Sequence, residues 1–176
     1  MSGERFYIHE DDWGRVSFEP EENRFDRTRV ASEVRAFGDA HRAPNGIGWT
    51  DVMVVPPPPI DITVRAISLA TLRAALGPTA FACTEVTTGY STHVEHVASG
   101  FAFRCSTEPY WDVVYGCAAN GMVTQLHLTF GTPAIADLLH RLGTAHRMIL
   151  CDLSRDGVVE LANRTAIDRY LADDVE

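Results

Sequence analysis

In the stretch STHVEHVASG, from Ser91 to Gly100, His93, Glu95 and His96 fall within four residues. Imidazole and carboxylate at that density suit a metal centre or an acid–base pair. The local backbone decides whether they can act together. A helix would bring His93 and His96 onto one face at i, i+3, whereas a strand sends successive side chains to opposite faces. From Thr92 to Arg104 the chain is rich in β-branched and aromatic residues and has no helical period, which predicts a strand. His93 and Glu95 then share one face, His96 takes the other, and the three cannot converge on one ion. HVEH also lacks the H-E-x-x-H spacing that aligns two ligands and a base. Neither a metal nor a cofactor is expected.

A second constellation lies in YWDVVYGCAANGMVTQLHLTF, Tyr110–Phe130. Asn120-Gly121 is the preferred pair for a two-residue type I′ turn, so Ala119 should face Met122. An unbroken ladder from that turn puts Trp111, Val113, Tyr115 and Cys117 on a core face with Phe130, Leu128, Leu126 and Thr124. Only one parity then places Phe101 and Phe103 with this face, for instance Phe103 opposite Trp111. The other face carries Asp112, opposite Thr129 and diagonal to His127. A carboxylate beside an imidazole can orient it as a general base, so Asp112, His127 and Thr129 are the candidate catalytic residues. A nucleophile is lacking, because Cys117 points to the core and Ser91, in GYSTH, has no closing glycine of a nucleophile elbow.

Other acidic groups have solvated readings. A three-residue loop Arg155-Asp156-Gly157 would align Cys151 and Leu153 with Leu161 and Val159 on the core face, and set Asp152 against Glu160. Glu10-Asp11-Asp12 lacks the alternating oxygens and terminal glutamate of a calcium loop. NGIGWTD, after Pro44, is a turn without the third glycine of a phosphate cradle. All 15 basic residues are Arg, and the absence of Lys excludes Schiff-base chemistry, Ser-Lys dyads and a phosphate-loop lysine.

These residues need a scaffold. RFYIH and RVSFE read as a hairpin around EDDWG, with Phe6, Ile8, Val16 and Phe18 apolar. Val30, Val34 and Phe37 predict a helix over Thr28–Phe37 that ends at Gly38. WTDVMVV reads as a strand closed by Pro56–Pro59, which form a stiff crossing. Ser68 caps a helix bearing Leu69, Leu72 and Leu76, stopped at Gly77. Thr132 and Pro133 open another, with Ile135, Leu138, Leu139 and Leu142 inward and Gly143 as terminator. RMILCDL and VVELA form a last hairpin before a helix near Arg164–Leu171. No internal repeat is visible.

At 176 residues and 45% hydrophobic content, one core suffices, so a single domain over Met1–Glu176 is expected, with Pro56–Pro59 as an internal crossover. The element order predicts an α+β fold, a mainly antiparallel sheet with three to four helices on one face. A net charge of −9 opposes nucleic acid and anionic membrane and favours a basic protein partner. No apolar run is long enough to span a membrane, and the start lacks a signal-like pattern, so a cytoplasmic location is expected. Scattered Cys83, Cys105, Cys117 and Cys151 suit reduced thiols.

An acidic α+β chain without a nucleophile motif resembles, in general character, bacterial toxin-immunity or inhibitor proteins. FYIHEDDWG near the start and MILCDLSRDGVVEL near the end carry the likeness. It implies a non-catalytic binding protein for a basic partner, with Glu10, Asp11, Asp12 and Trp13 as the binding patch, an aromatic anchor ringed by charge. The alternative is a small-molecule-binding protein or enzyme that uses the polar face around Asp112 and His127.

Overall fold

Short runs of β-branched and aromatic residues, set between turns, make ten strands among the described residues, and four α-helices interrupt them. The computed structural model describes residues 4–90, 92–106, 112–129, 131–155 and 157–172. In chain order they are β1 (Arg5–His9), β2 (Val16–Pro20), α1 (Arg24–Ala40), α2 (Leu69–Leu76), β3 (Phe81–Ala82), β4 (Glu85–Tyr90) and β5 (His93–His96). They continue with β6 (Gly100–Arg104), β7 (Val113–Ala119), β8 (Met122–Thr129), α3 (Ala136–His146), β9 (Met148–Asp152), β10 (Gly157–Glu160) and α4 (Arg164–Ala172). The fold class is α+β with a mainly antiparallel sheet, as the element order predicts. Seven antiparallel strands form one sheet in the order β10-β9-β2-β8-β7-β6-β3, and β1-β4-β5 form a small mixed one.

β1 and β2 are not a hairpin. β1 runs parallel to β4, while β2 lies between β9 and β8. A 3-10 turn at Glu10–Asp12, followed by Gly14 at φ 77°, turns the chain from one sheet to the other. One face of the large sheet carries Phe18, Leu150, Leu126, Leu128, Val114 and Phe103 against Leu72, Leu139, Leu142 and Ile167 of the helices. On the opposite face Ala102, Val113 and Tyr115 pack with Ile8 and Val86 of the small sheet. α1 lies beside β10.

The turn at Asn120-Gly121 forms with both residues at positive φ, and Ala119 faces Met122. A bulge then breaks the ladder: Ala118 pairs with Val123 but Cys117 with Gln125, so Thr124 is extra. Beyond it β7 is shifted by one residue, which exchanges its two faces. Val114 replaces Val113 and Tyr115 on the main core, Cys117 is half-buried opposite Gln125, and Phe103 faces Val114. Trp111, Phe130 and Ser91 lie outside the described residues.

Other expectations are corrected by packing. α1 starts four residues early and runs through Gly38 to Ala40, with Gly38 beside the Trp49 indole, where a Cβ would make an ordinary contact with Nε1 at 3.4 Å. WTDVMVV is not a strand. Apart from a bridge between Arg42 and Trp49 it has no ladder partner, and Trp49, Val52 and Val54 are exposed. The last hairpin pairs Gly157 with Asp152 and Val159 with Leu150, so Leu150, not Cys151, meets the core and Asp152 does not face Glu160. Asp156, in its loop, lies outside the described residues. Ser68 caps α2 by accepting from Thr71 N at 3.0 Å, as its spacing predicts.

Gly143 does not end α3. It sits inside the helix, where a Cβ would lie 2.3 Å from Leu161, and the chain leaves the helix at Arg147 with φ 52°. Alanine is the better helix former by about 1 kcal/mol. Gly143→Ala should nevertheless destabilise the fold by about 1–3 kcal/mol through overpacking. Urea denaturation decides the sign, and a gain in stability would contradict the close approach of α3 to Leu161.

Candidate functional site

β2 and β8 are paired at one position only, Ser17 with His127. The large sheet is therefore two smaller ladders, β10-β9-β2 and β8-β7-β6-β3, whose backbones pair at one position while their side chains share one core. Across that junction a row of side chains runs along one face: Cys151 opposite Ser17, Ser17 opposite His127, His127 opposite Tyr115, and Tyr115 opposite Ala102. Neighbours in such a row stand about 4.8 Å apart. Thiol, hydroxyl, imidazole and phenol thus lie side by side.

All three titratable members of the row are neutral at pH 7. Burial lowers His127 to about 4 and raises Cys151 and Tyr115 to about 12 each. Tyr115 has a structural task, since its Oη accepts from Gly14 N and donates to Asp12 O, both at 3.2 Å. It fixes the Glu10–Arg15 turn over the sheet. Trp13, carried by that turn, packs edge-on against Tyr115 at 5.3 Å and against His127 at 6.0 Å, and its Nε1 donates to Gln125 Oε1 at 3.3 Å.

Beside the row lies a buried ion pair. Arg27 Nε donates to Glu19 Oε2 at 3.1 Å, and Arg27 Nη1 donates to the Pro56 carbonyl at 3.1 Å. Asn23 Nδ2 donates to Glu19 Oε2 at 3.0 Å and to Ile60 O at 2.8 Å, while Ser17 Oγ donates to Glu19 Oε1 at 3.2 Å. Burial still raises the Glu19 carboxyl above its ordinary value, against the opposing pull of Arg27. These bonds tie the proline crossing to α1 and make it a wall of a cavity of about 340 Å³. Trp13, Ser17, Glu19, Arg27, His127 and Cys151 all line it, with Pro56 and Pro58 opposite.

Two of those side chains carry unused hydrogen-bonding atoms. Arg27 Nη2 and both ring nitrogens of His127 are buried with no partner among the described residues. Arg27 is 2% exposed and His127 9%. Unpaired buried donors and acceptors cost about 1–3 kcal/mol each, so native chains seldom keep them without a use.

Of the residues singled out by sequence, His127 is in this site and the other two catalytic candidates are not. Asp112, fully buried, accepts from Thr132 N at 2.9 Å and Thr132 Oγ1 at 2.6 Å. It anchors the turn before α3, so Thr132 does not cap that helix through its own side chain. Thr129 faces Val113, not Asp112, and accepts from Val113 N at 3.1 Å. Glu10, Asp11 and Asp12 are exposed, whereas Trp13 is half-buried in the aromatic stack described above. His93, Glu95 and His96 are all exposed on β5. Among the described residues no three His, Cys, Asp or Glu side chains are grouped to hold a metal ion, and no helix is long and apolar enough to cross a membrane.

Ser17, Glu19, Arg27 and Cys151 were not legible as site residues. They come from three separate elements, and a glutamate inside VSFEP is the one local irregularity that marks any of them. Comparison with protein-family models, curated proteins and solved structures finds no match to this chain.

Proposed function

We propose that the protein is a non-catalytic binding protein for a small uncharged molecule, seated in the cavity beside the Ser17–His127 pair. One observation carries the reading: His127 and Arg27 line the same cavity, and each has buried nitrogens with no partner among the described residues. A ligand that pairs with them recovers the cost of leaving them unpaired. The buried end of the site is charge-balanced, because Glu19 already neutralises Arg27 and His127 is neutral, and the remaining charged lining residues, Arg15 and Asp61, are exposed. An anion would therefore meet no uncompensated cation there, and a cation would meet no uncompensated carboxylate. A neutral imidazole offers one N–H and one acceptor, and Arg27 Nη2 offers donors. A planar amide supplies the complementary set, and the Trp13 indole and proline rings suit a flat body. The row holds no thiolate and no base poised near neutrality, which favours binding over catalysis.

Isothermal titration with amide and acid of the same ring, nicotinamide against nicotinate and benzamide against benzoate, tests this. Each amide should bind once per chain and each carboxylate should not. Binding of neither amide, or equal binding within a pair, would refute it.

A protein partner is the second reading. Ile47, Trp49, Val52 and Val54 stand exposed on a segment without a strand ladder, and Glu10–Asp12 form an exposed acidic turn. An acidic inhibitor of the immunity type would use such surfaces for a hot spot and for steering. Capture of a basic protein that is lost in Trp49→Ala would support it.

A further inference from the structure

The amide cavity has two chemically different ends. Its inner end holds the unpaired nitrogens of Arg27 and His127, both buried. Its mouth carries Asp61 and Gln125, both exposed, and half-buried Thr124. Thr124 is the residue that the bulge adds to β8, so the irregularity in the ladder falls at the site, as bulges often do beside functional sites. A one-ring amide that meets Arg27 and His127 would leave these polar groups unused. At about 340 Å³ the cavity falls in the range of about 300–1,000 Å³ that encloses larger molecules.

The mouth suits hydroxyls better than ions. Asp61 Oδ1 accepts from Thr63 N at 2.8 Å and caps the turn Ile62–Arg65, which fixes the carboxylate and leaves Oδ2 for another donor. Trp13 Nε1 occupies Gln125 Oε1, so the amide N–H groups of Gln125 remain as donors. Thr124 adds a hydroxyl that gives or accepts. Arg15, the cation at this mouth, is already engaged by Asp12 at 3.3 Å. An accepting carboxylate, a donating amide and a hydroxyl match the vicinal hydroxyls of a sugar, and a carboxylate takes a ribose hydroxyl in the same way at dinucleotide sites.

Building on the amide site proposed above, on which it rests, we infer that the ligand is a nucleoside whose base carries a lactam or imide edge. The base lies at the inner end, its carbonyl accepting from Arg27 Nη2, its N–H donating to a His127 ring nitrogen and its face against the Trp13 indole. The ribose lies at the mouth, where Asp61 Oδ2 accepts from its hydroxyls. A nucleoside without phosphate is uncharged, so the net charge of −9 does not oppose it.

Calorimetric titration of the intact chain with nicotinamide, uracil, uridine, dideoxyuridine and uridine methylated on its imide nitrogen provides the test. Uridine should bind about tenfold more tightly than uracil, as a hydrogen bond to a charged group implies. Dideoxyuridine, without the diol, should fall back to the affinity of uracil, and the methylated base should bind about tenfold more weakly than uridine. Asp61→Asn keeps an oxygen to cap Thr63 and should reduce the preference for uridine over uracil about tenfold. Uridine that binds no tighter than uracil, or a preference unmoved by Asp61→Asn, would overturn the nucleoside assignment, while nicotinamide binding in that case leaves the amide reading intact. Absence of binding by every compound would overturn both.

Discussion

Arg27→Met should destabilise the fold by about 3–5 kcal/mol at pH 7, because it strands the Glu19 carboxylate in a buried site. Arg27 and Glu19 are almost fully buried, at 2% and 8% side-chain exposure, and the guanidinium also holds the Pro56 carbonyl. The double variant Glu19→Leu/Arg27→Met should recover much of that loss, since an apolar pair leaves no buried charge. The two variants should also differ in pH dependence. Burial already raises Glu19, and removal of its cation raises it further. The folded Arg27→Met chain therefore takes up a proton before the unfolded chain does, and its stability should improve as pH falls from neutrality. Urea denaturation of the three proteins across pH is the measurement. Equal losses in single and double variants would show that the ion pair is not the element holding the crossing.

Acidification of the native chain should act in the opposite direction through His127. Its folded pKa, about 4, lies below the ordinary 6.5, so the unfolded chain binds the proton first. The neutral ring's contribution is intact above about pH 6.5 and is lost as pH falls, reaching about 3 kcal/mol near pH 4 at 1.36 kcal/mol per pKa unit. Glu19, raised by burial, works against this trend over the same acid range. His127→Phe, which keeps a ring against Trp13 and Tyr115, isolates the histidine. The variant should lose the part of the pH slope between 6.5 and 4 that the imidazole supplies. An unchanged slope would place His127 in contact with solvent or a partner group.

How much of this could be read beforehand depends on the range of the interaction. Local signals held: the Ser68 cap, the Asn120-Gly121 turn and the inward leucines of α3 are set by residues a few positions apart. The alternation that separates His93 from His96 belongs to the same class, and β5 is a strand. The face of β7 is not legible in the sequence, because a bulge at Thr124 leaves no compositional mark while it reverses every side chain beyond it. β1 reads as the partner of β2 because adjacent alternating runs resemble a hairpin, whereas its parallel partner β4 lies some 80 positions away. Gly38 and Gly143 read as helix stops, yet both lie inside their helices, and Gly143 serves a close approach by Leu161. The candidate site is legible only through His127 and Trp13, which the sequence assigns to two separate sites. Its partners become visible once β2 is placed between β8 and β9, which no local pattern specifies.

The most direct measurement is ¹⁵N NMR of the His127 ring during titration with nicotinamide. In the free protein both nitrogens lack a partner among the described residues, so a ligand in the cavity must change their environment. Ring ¹⁵N shifts should saturate at one amide per chain, with the ring remaining neutral and nicotinate without effect. Amide binding that leaves the His127 nitrogens unmoved would contradict it.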